Sequence, residues 1–396
     1  MGDSSSTLGL VLAGGAARGA YEAGVLRYLF TELPKRIGTP PWPDIVAGTS
    51  VGALNGAFVA GRDPAGLRWL SRIYQQLEIP DIYGVSYGDL FRTVRDALRG
   101  GPFALADPAP LRRMVLRSFP RHRIRRAVQE DGVVWIVGAT DLRTGNQVLF
   151  IESREPPRWR TRPGVELVHT EVRAVHALAS AALPLLFPPI PVGERLLVDG
   201  GLRMNTPLRP VIRSGADRVI VISVKRRAHD QSRPVQVPSL PFLVGKTLNA
   251  MLLDPIEQDL FDAEEINAFI EWGRTRYGPD FEARIRGDLG LRKLEVLFIA
   301  PSIDVGELAQ EVFRSSPPRV SGAMGVMMQR IASGEGADAD LLSYIFFDRA
   351  YTGALEALGF SDAQALESEL LSLIAPDGGA PDGGAPDGGA PDGGRL

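Results

Sequence analysis

The first apolar run, Leu8–Ala13 (LGLVLA), is unbroken and stops at Gly14-Gly15. Such a run, closed by glycines, predicts a buried strand. The period then changes, because Tyr21, Val25, Leu29 and Leu33 fall four apart and predict a helix within 17–33. Asp44–Ala47 predicts a second short strand, and the small apolar residues of Ser50–Ala60 a tightly buried helix. Residues 64–78 also have helical spacing. The Gly- and Pro-containing stretch 80–110 predicts irregular chain, with a lid as one expectation. Val133–Thr140 and Gln147–Glu152 predict adjacent strands joined by a turn at Arg143-Thr144-Gly145-Asn146. A helix over 170–183 stops at Pro184, and a loop covers Leu185–Pro191. Arg195–Val198 predicts a strand, Thr206–Ser214 a helix, and Arg218–Val224 another buried strand.

Alternating β and α segments of this kind predict an α/β layered fold around a mostly parallel sheet. Residues 240–290 look helical, and Leu294–Ala300 (LEVLFIA) then returns as one more strand. That return predicts a helical excursion, 231–293, from one sheet, and no separate domain. Helices are expected at 305–314, 321–333 and 338–374. The division of the chain is therefore 7–230 as the core, 231–293 as the excursion, 294–374 as the last strand and C-terminal helices, and 375–396 as a tail. The tail repeats Ala-Pro-Asp-Gly-Gly four times and holds no apolar residue larger than Ala before its final Leu396, so it is expected to be disordered.

Composition narrows the chemistry. The 396 residues include no Cys, which excludes disulfides, thiolate metal sites and a thiol nucleophile. Four histidines (His122, His169, His176, His229) show no metal-binding spacing, so neither a metal nor another cofactor is expected. The net charge of −3 resides in the tail: without its four Asp and one Arg, 43 basic and 43 acidic residues remain. A neutral body argues against a general nucleic-acid binder. It conceals one dense basic segment, Arg112, Arg113, Arg117, Arg121, Arg123, Arg125 and Arg126, which is either a patch for anionic lipid head groups or a solvated helix face. No secretory signal is visible and no run spans a bilayer, so the expected location is cytoplasmic, with peripheral contact with an anionic membrane.

Gly48-Thr49-Ser50-Val51-Gly52 is a G-x-S-x-G motif. In a nucleophile elbow the strand-to-helix turn is so tight that glycine flanks the serine on both sides. Gly84-Val85-Ser86-Tyr87-Gly88 also matches, but only Ser50 stands between a strand and a helix. Gly14-Gly15-Ala16-Ala17-Arg18-Gly19 joins the first strand to the first helix, where amides suit a phosphate or an oxyanion. The dinucleotide pattern fails because Ala16 occupies its middle glycine, which favours an oxyanion hole serving Ser50. Arg18 either firms this loop or meets an anionic head group. No histidine stands in a setting that recommends it as the base. The alternative is Asp199, in Asp199-Gly200-Gly201 after the apolar Leu196-Leu197-Val198, provided its environment excludes water and raises its pKa.

Taken together and in this order, Gly14–Gly19, Gly48–Gly52 and Asp199-Gly200-Gly201 resemble the motifs of patatin-like phospholipases. Ala179-Ser180-Ala181-Ala182-Leu183-Pro184 followed by Phe187-Pro188-Pro189 is similar to that family's segment before the Asp strand. The resemblance covers roughly residues 7–225, and Val296–Asp304 is similar to a later strand of bacterial members. It implies a three-layer α/β/α fold and a Ser–Asp dyad without a catalytic His. Ser50 would be the nucleophile, Asp199 the general base, and the amides of Gly14, Gly15, Ala16 and Ala17 the oxyanion hole, with a phospholipid or lysophospholipid as substrate. Ala16 departs from the third glycine of many members, so a loop requiring positive φ there would be strained. Leu183, Leu185, Leu186 and Phe187 line an acyl groove or are plain core. Two rivals stay open: an acyltransferase using the same serine, and a non-catalytic lipid-binding regulator.

Overall fold

In the computed structural model, residues 6–84, 106–184, 186–226, 256–318, 328–329, 331–332 and 337–374 are described. Strand β1 (Leu8–Leu12) is followed by α1 (Gly19–Arg27), and β2 (Ile45–Thr49) by α2 (Val51–Ala60) and α3 (Pro64–Gln76). Helices α4 (Ala109–Ser118) and α5 (Arg121–Arg126) precede β3 (Val134–Asp141), β4 (Gln147–Glu152) and β5 (Val165–His169). Then come α6 (Ala174–Ser180), β6 (Ile190–Val192), β7 (Arg195–Asp199), α7 (Leu208–Arg213) and β8 (Arg218–Ile222). Helices α8 (Ile256–Tyr277) and α9 (Phe281–Leu289) lead to β9 (Glu295–Ile299), and α10 (Val305–Ser315), α11 (Ala337–Ile345), α12 (Arg349–Ala365) and α13 (Glu367–Ile374) complete the order.

The period-2 geometry of a strand divides the core into two. Leu8, Leu10 and Leu12 join one apolar cluster, with residues of α1, α2, α3, α10 and α12, whereas Val11 turns to a second with α7 and α8. Helices therefore cover both faces of the sheet, giving three layers. The sheet order is β5-β4-β3-β2-β1-β8-β9. Neighbours are parallel except β3 with β4. Antiparallel β7 pairs with the C-terminal end of β3, and β6 pairs with β7. Strand β9 lies parallel beside β8 after α8 and α9. Among the described residues no helix is long and apolar enough to cross a membrane.

Several elements differ from the sequence expectation, each for a local reason. The helix expected over 170–183 is only Ala174–Ser180. At its start the Val172 N–H donates to the buried Glu152 carboxylate, and beyond its end the Ala182 carbonyl accepts from Asp199 N–H at 2.9 Å, so the chain must leave the helix to meet β7. Strand β5 was not expected because it is a half-buried edge with no clean alternation. Part of the loop expected over 185–191 is β6. The helix expected over 338–374 breaks at Phe346–Asp348, where Asp348 caps α12 through Ala350 N–H. The expected lid and the helix over 321–333 fall largely outside the described residues, and the tail does so entirely.

Helix α1 packs on α12 through small residues. A Cβ at Gly24 would stand 1.9 Å from the Glu356 carbonyl oxygen, and one at Gly359 2.0 Å from that of Tyr21. Gly359→Ala is expected to cost about 1–3 kcal/mol by overpacking. Gly353→Ala on the same helix, where a Cβ meets nothing nearer than 4.0 Å, should instead gain up to about 1 kcal/mol from helix propensity. Urea unfolding of the two variants checks this contrast.

Candidate active site

Ser50 follows β2 with φ 55° and precedes the first turn of α2. A non-glycine residue in the left-handed region costs about 1–2 kcal/mol, so the turn must be held. The flanking glycines are obligatory by close approach: a Cβ at Gly48 would lie 2.3 Å from the Gly52 oxygen, and one at Gly52 2.5 Å from that of Leu12. The Ser50 N–H donates at 2.8 Å to the hydroxyl of Ser180, which donates in turn to the Gly138 carbonyl of β3. Ser180 is wholly buried, so this relay has no water to replace it. Sequence reasoning missed Ser180 as a site residue, although it lies inside the segment that carries the family likeness.

Sheet register brings Asp199 to Ser50. Thr49 of β2 pairs with Gly138 of β3, and the next β3 residue, Ala139, pairs with Asp199 of β7. The Asp199 backbone carbonyl accepts from Thr140 Oγ1 at 2.9 Å, and its carboxylate accepts from Gly201 N–H at 2.7 Å. Gly200 has no room for a side chain, since a Cβ would fall 2.2 Å from the Gly138 oxygen. Burial pushes the Asp199 carboxyl up to about 6, against opposing hydrogen bonds from the Ser50 side chain and the Gly201 amide. Asp199 is 2% exposed, follows the buried Leu197 and Val198, and borders the mostly apolar cavity wall.

The loop between β1 and α1 is tightly braced. Gly14 N–H donates to the Asn205 carbonyl at 3.1 Å, and the Gly14 carbonyl accepts from Asn205 Nδ2 at 3.0 Å. The Gly14 amide is thus spent, which corrects its expected place among the oxyanion donors. Gly15 and Ala16 line the cavity beside Ser50, while the Ala17 side chain is in the core. Ala16 does have a positive φ of 49°, the strain expected if the loop demanded glycine there. Gly19 starts α1 against Val51.

Arg18 is 1% exposed, so the head-group option fails. Its guanidinium pairs with Asp340 at 2.8 Å, donates to Ser343 Oγ and lies over the Tyr344 ring at 3.9 Å. It firms the loop by tying it to α11.

Ser50, Asp199, Gly15, Ala16 and Asn205 line one cavity. Its walls are otherwise mostly apolar: Leu54 and Phe58 of α2, Trp69, Leu70 and Ile73 of α3, Leu111 and Met114 of α4, and Leu183, Leu186 and Phe187. Three of the four residues considered for an acyl groove therefore line it, and Leu185 lies outside the described residues. Among the described residues no histidine lines it. His122 and His169 are exposed, and His229 lies outside the described residues. His176 packs on Phe150 and accepts from Arg173 N–H, and burial pushes its pKa down to about 4. Among the described residues no cluster of side chains is suited to hold a metal ion.

A strained serine, a buried carboxylate and an apolar cavity thus meet on a three-layer α/β/α frame. The patatin-like phospholipase family model matches residues 10–212, and the chain belongs to that family. An uncharacterized NTE family protein of Mycobacterium tuberculosis is 28% identical over 323 residues, 79% of this chain and 47% of that protein. The chain thus spans about half the length of the first curated relatives it matches. Lysophospholipase NTE1 of Cryptococcus neoformans is 26% identical over 218 residues, 55% of this chain and 11% of that protein. Human GIVD cytosolic phospholipase A2 aligns with a TM-score of 0.42 at 15% identity, covering 93% of this chain and 60% of that one.

Two substitutions test the local account. Ser180→Ala leaves the Ser50 N–H without its acceptor and is expected to lower stability by about 1–3 kcal/mol. Ala16→Gly should raise it by about 1 kcal/mol, because glycine adopts φ 49° freely. Equilibrium unfolding in urea measures both, and a destabilised Ala16→Gly would contradict the strain.

Proposed function

We propose that this chain is a serine acyl hydrolase that cleaves phospholipid or lysophospholipid acyl esters through Ser50 and Asp199. The observation that carries the reading is a strained serine beside a buried carboxyl of pKa about 6, at the head of a cavity whose described walls are mostly apolar. Asp199, ionised at neutral pH, takes the Ser50 proton as Oγ attacks the acyl carbonyl carbon. The amides of Gly15 and Ala16 are the proposed donors to the developing oxyanion. The ester C–O bond then breaks, and Asp199 returns the proton to the departing alcohol oxygen. Water attacks the acyl-enzyme as Asp199 takes its proton; the acid leaves and Ser50 Oγ regains a hydrogen.

The cavity suits the acyl half of such a substrate, because each methylene moved from water to an apolar wall contributes about 0.8 kcal/mol. A lipid substrate resides in a membrane, so peripheral contact with a bilayer belongs to the same reading. The fungal relative is named a lysophospholipase, in agreement with this substrate class.

Ser50→Ala and Asp199→Asn are each expected to lower kcat by about three orders of magnitude or more while the fold persists, as for residues that act as a unit. Release of free fatty acid with no added acceptor, with circular dichroism as the fold control, is the measurement. Retained activity in Ser50→Ala would sink the assignment. In the wild type, log kcat/KM should rise with pH up to about 6 and then level, because the base works only when deprotonated and Asp199 titrates there.

A further inference from the structure

The seven arginines that form one segment in sequence separate into two groups in space. On α5 they are matched by acids: Arg121 with Glu171 at 2.7 Å, Arg123 with Asp63 at 3.5 Å, Arg126 with Glu130 at 3.8 Å, and Arg125 with Glu152 at 4.0 Å. On α4, Arg112, Arg113 and Arg117 are exposed and have no carboxylate partner among the described residues. Leu116 stands among them, 55% exposed.

The opposite face of α4 carries Leu111, Met114, Val115 and Ser118, spaced three and four apart, and all four line the cavity that holds Ser50. One ten-residue helix thus separates that cavity from an unneutralised cationic surface with an apolar centre. The half-buried Trp69 and Ile73 of α3 line the same cavity.

We propose that the outer face of α4 docks the protein on an anionic lipid surface, with Arg112, Arg113 and Arg117 on the head groups and Leu116 among the upper acyl carbons. Negative charge alone would satisfy the guanidiniums, but Leu116 gains nothing from a nucleic acid or a soluble anion. A bilayer supplies charge and hydrocarbon within one side-chain length, and arginine stems suit that boundary. The surface also lies on the wall of the cavity proposed for the acyl chain, so docking there would bring a lipid to the site's own helix. This inference rests on the acyl-hydrolase reading for its purpose, not for its test.

The test is co-sedimentation of the full chain with vesicles of phosphatidylcholine alone or mixed with phosphatidylglycerol. Wild type is expected on the anionic vesicles only, with partition falling as salt rises. The triple variant Arg112→Gln, Arg113→Gln, Arg117→Gln should lose about 5-fold per arginine, on the order of 100-fold in all, with its thermal midpoint unchanged. Leu116→Ser should weaken partition at every salt concentration. A matching triple on α5 (Arg121→Gln, Arg123→Gln, Arg126→Gln) should change partition much less, since those charges are already paired. Equal binding to neutral and anionic vesicles, equal losses from the two triples, or capture of an oligonucleotide without vesicle partition would each overturn the proposal. Hydrolysis of a water-soluble ester, measured in parallel, reports on Ser50 separately, so vesicle binding without ester cleavage would count against the hydrolase reading alone.

Discussion

The carbonyl of Gly138 is the point on which the site depends. It accepts from Ser180, whose hydroxyl accepts the Ser50 N–H, and it leaves no space for a Cβ at Gly200. One oxygen on β3 therefore braces the Ser50 turn on one side and the Asp199 turn on the other. This works because β7 pairs antiparallel with the last residues of β3, from Ala139, immediately after the parallel pairing of β2 with β3 ends at Thr49 and Gly138.

Holding that geometry costs strain that the surroundings offset. Ser50 and Ala16, both non-glycine residues with positive φ, line the same cavity. Each left-handed residue costs about 1–2 kcal/mol, a noticeable share of a typical net stability of ~5–15 kcal/mol. The supports are buried and polar: Ser180 under Ser50, Asn205 clasping Gly14, and the Arg18 guanidinium fastened to α11. Asn205 and the α11 contacts come from chain far beyond the loop they support, so the region after the Asp strand and the C-terminal helices participate in shaping the site.

Much of this was legible in the sequence because the relevant signals are local. A buried parallel strand reads as an apolar run, and a nucleophile elbow needs glycine within two residues of its serine, so β1, β2, β8 and Ser50 announce themselves. Asp199 was legible only through the apolar run before it and the two glycines after it. What was hidden depends on partners distant in the chain. Nothing near Ser180 says that its hydroxyl receives a proton donor 130 positions earlier, and nothing near Gly14 says that its amide is consumed by Asn205. The same limit explains the arginines: sequence shows seven cations in a row of helices, but the acids that neutralise the α5 group include Asp63, Glu152 and Glu171, which only folding brings near.

Burial of Asp199 and dryness of the cavity are one property seen from two sides. Apolar walls that favour a hydrocarbon chain also disfavour a carboxylate, and that penalty raises the Asp199 pKa toward the range where a carboxylate can take a serine proton. A wetter cavity would hold acyl chains less well and leave Asp199 a weaker base. A fully sealed one would push its pKa past neutrality and leave it protonated. Hydrogen bonds from the Ser50 side chain and the Gly201 amide set the position between these limits, because both favour the ionised form at the depth where desolvation opposes it. In the proposed reaction, an acyl chain filling this apolar cavity would deepen the burial of Asp199 and raise its proton affinity further.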